Sequence, residues 1–239
     1  VFKLKPVRKS DIWLQEAMKY KVKYCRIIRE PFGIHYRFFL QLVMEGVPPQ
    51  KHAIGAGTIA IDPGVSTMTS YNGNRLSFKE LAPDVNKYQE KVIKEQNRLS
   101  KLTRINNSEC YDDKGVHIKG MRIQYSKSMK RAKMRLRTAY RKQRVYVEQS
   151  NNNIANEWLE DSGSVVKIET MNYKGLQKKS SKTERQDKES VVTDKTGRKR
   201  SIRKFKRRKR FGGSILKHAP SGFLYTIKRK VTATCGIVI

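Results

Sequence analysis

Between Lys127 and Arg144 the chain places nine Lys/Arg and no acid. Few environments tolerate such a run. Buried, it would cost several kcal/mol per unpaired charge, and a face that is merely solvated normally mixes both signs. The run therefore has to form a surface, and that surface calls for a polyanion. The whole chain agrees, with 53 Lys+Arg against 21 Asp+Glu and a formal net charge of +32 over 239 residues. Two polyanions are available in a cell, nucleic acid and the anionic face of a membrane. No basic segment carries the clean bulky apolar face that membrane-surface binding requires. No window approaches the roughly 18 uncharged apolar residues of a membrane span, and Val1 to Lys9 lacks a signal-peptide hydrophobic stretch. These features point to a soluble intracellular chain with nucleic acid as its partner.

Around the basic run the hydrophobic period divides the chain. Ser10-Asp11 reads as the cap of a short helix from Ile12 to Met18. Two β-like runs, Tyr24 to Arg29 and His35 to Glu45, flank the turn residues Glu30-Pro31-Phe32-Gly33 and form a hairpin. Pro48-Pro49 through Ile54-Gly55-Ala56-Gly57 reads as a linker, which separates residues 1–54 from 55–239. The second part opens with three strands, Thr58 to a turn at Asp62-Pro63-Gly64, Thr67 to Tyr71, and Arg75 to Leu81, the last two joined through Asn72-Gly73-Asn74. From Pro83 the period becomes helical. Lys87, Lys91, Lys94, Arg98 and Lys101 recur at steps of four and three and form one basic stripe, with Tyr88, Val92, Leu99 and Leu102 on another face. After a loop through Asn106-Asn107 and Asp112-Asp113-Lys114-Gly115, a second helix runs from about Gln124 to Glu160. It carries Lys127, Lys130, Arg131, Lys133, Arg135, Arg137, Arg141, Lys142 and Arg144.

A strand follows at Ser164 to Glu169. Lys174 to Arg210 then holds 17 Lys/Arg, four acids and few apolar residues, a composition expected to stay disordered until it meets its partner. Arg207, Arg208 and Arg210 close this insert and join the candidate phosphate contacts. Ile215, Leu216, Phe223, Leu224, Ile227 and Val231 support one more helix, and Ile237-Val238-Ile239 begins a strand. Three strands followed by alternating helix and strand is an α/β order of the ribonuclease H type.

Two acids stand at strand ends. Asp62 closes the first strand of the second part with Ile59 and Ile61 on the opposite face, and Glu169 closes a later strand with Val166 and Ile168 facing away. From spacing alone each reads first as a turn or cap residue. As a pair on adjacent strands they offer the hard oxygen ligands that Mg²⁺ takes in phosphodiester hydrolysis. Cys25, Cys110 and Cys235 lie far apart and make no ligand pattern with the four histidines, so no zinc site is written here. Of the hairpin aromatics, Tyr36, Phe38 and Phe39 read first as core and second as stacking platforms for bases, with Phe205 and Phe211 the better stacking candidates.

Ile59-Ala60-Ile61-Asp62-Pro63-Gly64-Val65-Ser66-Thr67 resembles the first RuvC motif of the TnpB (OrfB) proteins of bacterial insertion sequences, relatives of type V CRISPR effectors and Fanzor proteins. Val165 to Leu176, with Glu169 and Asn172-Tyr173-Lys174-Gly175, resembles their second motif. Tyr20 to Arg26, Gln41 to Gly46, Lys209 to Ile215 and Ala219-Pro220 resemble further stretches of one subgroup, so the similarity is co-linear along the chain. It implies an incomplete RuvC/ribonuclease H-like mixed sheet with basic helices, behind the C-terminal part of a β-rich, oligonucleotide-binding-barrel-like wedge domain. It also implies a transposon-encoded, RNA-guided DNA endonuclease, with guide RNA and target DNA as partners and Mg²⁺, two ions in the complete site, held first by Asp62 and Glu169. Its setting would be cytoplasmic, with the nucleoid. The family's third acid has no counterpart, because no Asp or Glu follows Asp194, and Asp187 and Asp194 fall in the insert. The absence of an initial Met and the apolar ending are read as the ends of a fragment. An alternative stays open, a catalytically inactive nucleic-acid-binding remnant; a ribosomal-type RNA-binding protein explains the charge but not the two strand-end acids.

Overall fold

In the computed structural model, residues 10–46, 51–113, 115–177, 185–193, 199–205 and 211–239 are described. The centre of the molecule is a five-stranded mixed sheet built from β3 (Thr58–Pro63), β4 (Thr67–Tyr71), β5 (Leu76–Glu80), β6 (Val165–Ile168) and β9 (Ile237–Val238), in the order β5-β4-β3-β6-β9. β3, β4 and β5 are antiparallel neighbours, whereas β6 pairs parallel with both β3 and β9. Parallel pairing needs long crossovers. The basic helical pair supplies the first one and the insert with the last helices supplies the second.

Period-two alternation makes this sheet one-sided. Ile59 and Ile61 of β3, Met68 of β4 and Val166 of β6 turn to one face and are buried there. They pack against Ile154, Ala155, Trp158 and Leu159 of α3 (Lys127–Asp161) and Phe223, Ile227 and Val231 of α6 (Pro220–Ala233). Trp158 sets its ring edge-to-face on Phe223 and donates its indole N–H to Ser77 Oγ on β5 (3.2 Å). α2 (Val85–Asn106) runs antiparallel to the basic half of α3. The pair is stitched by the stacked rings of Tyr88 and Tyr146 and by Gln143 bonding Gln89 (2.9 Å).

Several sequence expectations change in detail. The short expected helix is α1 (Ile12–Ala17), and the hairpin after it, β1 (Val22–Phe32) and β2 (His35–Met44), is longer than expected, turning only at Gly33, whose φ of +64° favours glycine. Pro31 lies inside the strand opposite Tyr36 rather than in the turn. α3 starts at Lys127, later than Gln124, because Ser126 accepts from Met129 N and caps it there. The expected single C-terminal helix is two, α5 (Gly212–His218) and α6, broken where Ala219 adopts the left-handed region (φ +49°) ahead of Pro220. A residue before proline disfavours the helical region, so the apolar spacing continues across the break while the backbone does not.

The insert is the largest correction. The disorder expected over 174–210 does not hold for α4 (Tyr173–Gln177), β7 (Arg185–Thr193) or β8 (Lys199–Phe205), the last two forming an antiparallel hairpin. β-Branched Val191, Val192 and Thr193 favour strand, Glu189 sits opposite Arg203, and Ser201 Oγ donates to Glu189 (2.7 Å). Local pairing here overrides the charge count. The remainder of the expected insert, 178–184, 194–198 and 206–210, lies outside the described residues.

The stretch read as a linker is anchored at its described end. Gly55 N–H donates to Leu159 O (2.8 Å), its carbonyl accepts from Gly163 N (2.9 Å), and a Cβ on Gly55 would come within 2.3 Å of Glu160 O. Ile54 packs on the core.

Candidate functional site

The same alternation that buries Ile59 and Ile61 turns Ala60 and Asp62 to the opposite face of the sheet, and no helix covers that face among the described residues. Ile61 of β3 is in register with Ile168 of β6, and Glu169 N–H donates to Ile61 O (3.3 Å). Asp62 and Glu169 thus follow one another across adjacent parallel strands, at their C-terminal ends, both exposed. They line a cleft of about 560 Å³ together with Ala60, Thr69, Tyr71, Lys167 and Ile239. The two acids are therefore juxtaposed on one face of the sheet at adjacent strand ends.

The turn after Asp62 is tightly held. Gly64 N–H donates to Thr67 O (2.9 Å), and a Cβ at Gly64 would lie 2.6 Å from that oxygen, so only glycine fits without a shift. Tyr173, buried at the start of α4, donates its phenol to Gly64 O (2.9 Å). Burial, with the charge of Asp62 second, pushes the Tyr173 phenol up to about 12. Asn172 Oδ1 accepts from Gly175 N (2.9 Å), which fixes the bend that leads into α4. The Asn172–Gly175 segment thus ties the strand bearing Glu169 to the turn bearing Asp62.

Chemically the cleft offers two carboxylates, one ammonium and the Thr69 hydroxyl, the Tyr71 hydroxyl being donated to Gly73 O (2.7 Å). Among the described residues no group of three His, Cys, Asp or Glu side chains could hold a metal ion. Asp187 lies on β7, in a separate two-stranded sheet, and Asp194 lies outside the described residues.

The basic residues divide by position. On α2, Lys87, Lys91, Lys94, Arg98 and Lys101 are all exposed. Lys87 is tied to Asp84 (2.7 Å), and Lys91 lies over the Tyr88 ring. On α3, Lys127, Lys130, Arg131, Lys133, Arg137, Lys142 and Arg144 are exposed, while Arg135 and Arg141 are half-buried. Arg141 donates to Pro31 O (3.1 Å) and reaches Glu30 (3.8 Å), Thr138 bonds Gly33 O (3.3 Å), and Arg137 donates to the Tyr36 hydroxyl (3.1 Å). The β1–β2 hairpin therefore rests on the line of α3 through Thr138 and Arg141. Helical spacing leaves Arg131, Arg135 and Lys142 on one flank of that line and Lys130, Lys133, Arg137 and Arg144 on the other. Arg207, Arg208 and Arg210 lie outside the described residues.

Two features escaped the sequence reading. Lys167 shares the face of Glu169 by the same period of two, a signal that was legible. Tyr173 had no such signal, since its partner is a backbone carbonyl 109 residues away. The core reading of the hairpin aromatics is corrected for Phe38, which is 62% exposed, and Phe39, 47% exposed, because a two-stranded sheet can bury only the part that meets α3. Cys25, Cys110 and Cys235 are free thiols, and no helix of the described residues is long and apolar enough to cross a membrane.

Compared with protein-family models and with curated proteins, the chain matches none of either.

Proposed function

We propose that the chain is part of a TnpB-like, RNA-guided DNA endonuclease, whose RuvC/ribonuclease H-like sheet hydrolyses DNA phosphodiesters at Asp62 and Glu169. The observation that carries this reading is the placement of those two carboxylates, side by side at the ends of parallel β3 and β6, in a cleft on the uncovered sheet face. The strand order supports it, three antiparallel strands in sequence followed by two parallel ones on the far side of the first. In this reading the β1–β2 hairpin belongs to the wedge domain within residues 1–54. The exposed Lys and Arg of α2 and of the two flanks of α3 hold the backbones of guide RNA and target DNA.

Two carboxylate donors with no competing thiol or imidazole suit a hard cation such as Mg²⁺, and Asp62 and Glu169 would hold it. Bound there, it supplies Lewis acidity and an activated water. The chain's own residues do the rest. Tyr173 and Gly64 fix the Asp62 turn, and the basic helices retain the substrate. The experiment is cleavage of a guide-matched DNA duplex with Mg²⁺ by wild type, Asp62→Asn and Glu169→Gln. Either substitution should lower the rate at least about a hundredfold, several kcal/mol of lost stabilisation, with binding retained.

A second reading, a nucleic-acid-binding remnant without catalysis, is favoured by the cleft's having only two carboxylates among its lining residues. Absent cleavage in wild type and both variants, with salt-sensitive binding intact, decides for it.

A further inference from the structure

Lys167 stands two residues before Glu169 on β6, so both side chains leave the same face. Across the ladder its partner is Ala60, whose methyl group leaves the space in front of it open, and Asp62 is the next residue on that face of β3. On its other side Ile239 bonds Val166 and Ile168, which brackets Lys167 between β3 and β9. Ala60, Asp62, Lys167, Glu169 and Ile239 all line the same cleft. Lys167 is exposed, and among the described residues it makes no ion pair, with Asp62 and Glu169 or with any other acid.

Charge balance gives this placement a meaning. Two carboxylates neutralise one divalent cation and leave nothing for the single negative charge of a phosphodiester. Given Asp62 and Glu169 as the metal ligands, as proposed above, we infer that Lys167 is the substrate-phosphate contact of this cleft. Its ammonium binds a non-bridging oxygen of the diester, so that the site takes one divalent cation and one phosphate together. A compact point charge on a flexible four-carbon stem suits that task. The same ammonium repels a metal ion that arrives alone.

The test is a Mn²⁺ titration of the full chain followed by electron paramagnetic resonance, with and without the dinucleotide thymidylyl-thymidine, which carries one phosphodiester and little else for the basic helices to hold. In wild type the dinucleotide should tighten Mn²⁺ about five- to tenfold, the coupling expected of two ligands sharing one site. Lys167→Met should bind Mn²⁺ alone more tightly than wild type and lose the coupling, and Lys167→Arg should keep it. Wild type without coupling, Lys167→Met with coupling intact, or Lys167→Met with weakened Mn²⁺ binding overturns the role of Lys167. Asp62→Asn binding Mn²⁺ as wild type does would instead overturn the metal site itself.

Discussion

Tyr173 is enclosed between α4 and the turn that follows β3, where its phenol donates to Gly64 O at 2.9 Å and faces the charge of Asp62. Burial and that charge both oppose ionisation, so the proton is held more tightly in the folded chain, up to about 12 against an ordinary 10.0. The linkage has a definite sign. The stabilisation is complete below pH 10 and is lost as pH rises from 10 towards 12. Tyr173→Phe keeps the ring packing and removes the hydrogen bond, at a cost of about 1 kcal/mol near neutral pH. Urea unfolding of both chains across pH 8 to 12 checks this, because the other titrating groups are common to the two and cancel. The stability gap should narrow between pH 10 and 12; a gap that stays constant would mean the phenol is not held as described. Gly64→Ala acts on the same turn from the other side. Its methyl group would lie 2.6 Å from Thr67 O, and a displaced turn should cost about 1–3 kcal/mol and weaken Mn²⁺ binding in the same titration that tests Lys167.

At the scale of elements, α3 serves two layers at once, its C-terminal half forming the core under the sheet and its basic half carrying α2 on one face and the hairpin on another. This makes neighbouring basic residues unequal. Arg141 is half-buried and bonded to the hairpin backbone, whereas Lys142 is exposed. Arg141→Ala should destabilise by about 1–3 kcal/mol through the carbonyl and carboxylate left behind while leaving the salt dependence of DNA binding unchanged. Lys142→Ala should stay within about 0.5 kcal/mol in stability and lower the salt slope by about one. Denaturant unfolding and binding measured over a range of salt separate the two. Much of this layout was legible in the sequence. The switch from period two to period 3.6 at Pro83 located α2, and the alternation around Asp62 and Glu169 put both acids on one face. What the sequence did not carry was which sheet face stays uncovered, because that depends on where Trp158 and Phe223 dock, and which arginines the hairpin engages, because Thr138–Gly33 and Arg141–Pro31 join residues more than a hundred positions apart. The insert was misread for a different reason. A charge count averages over 37 residues, whereas a hairpin needs only one short β-branched run, here Val191 to Thr193, and a second segment in register with it.

For the whole molecule, the excess of positive charge is distributed while the chemistry-bearing acids are confined. Asp62 and Glu169 share the open sheet face with Lys167, and the exposed stripe on α2 lies on the opposite side of that helix from the contacts with α3. Binding and cleavage should therefore be separable. Each Lys or Arg that neutralises a phosphate of duplex DNA contributes about 0.9 to the fall of log affinity with log salt. Replacing Lys91, Lys94, Arg98 and Lys101 together by Ala should reduce that slope by between about three and four. Adding Lys87→Ala should change it by less than any of the others, because Lys87 is already paired with Asp84 and displaces fewer counterions from the phosphates. Asp62→Asn should leave the slope where it was, since a cleft that meets one phosphate adds little to a footprint of many. Fluorescence anisotropy with a labelled duplex from about 50 to 300 mM salt measures wild type and all three variants under one protocol. A fourfold variant that loses affinity equally at every salt concentration would show that the stripe does not touch phosphates, and the polyanion surface would then have to be sought on the two flanks of α3.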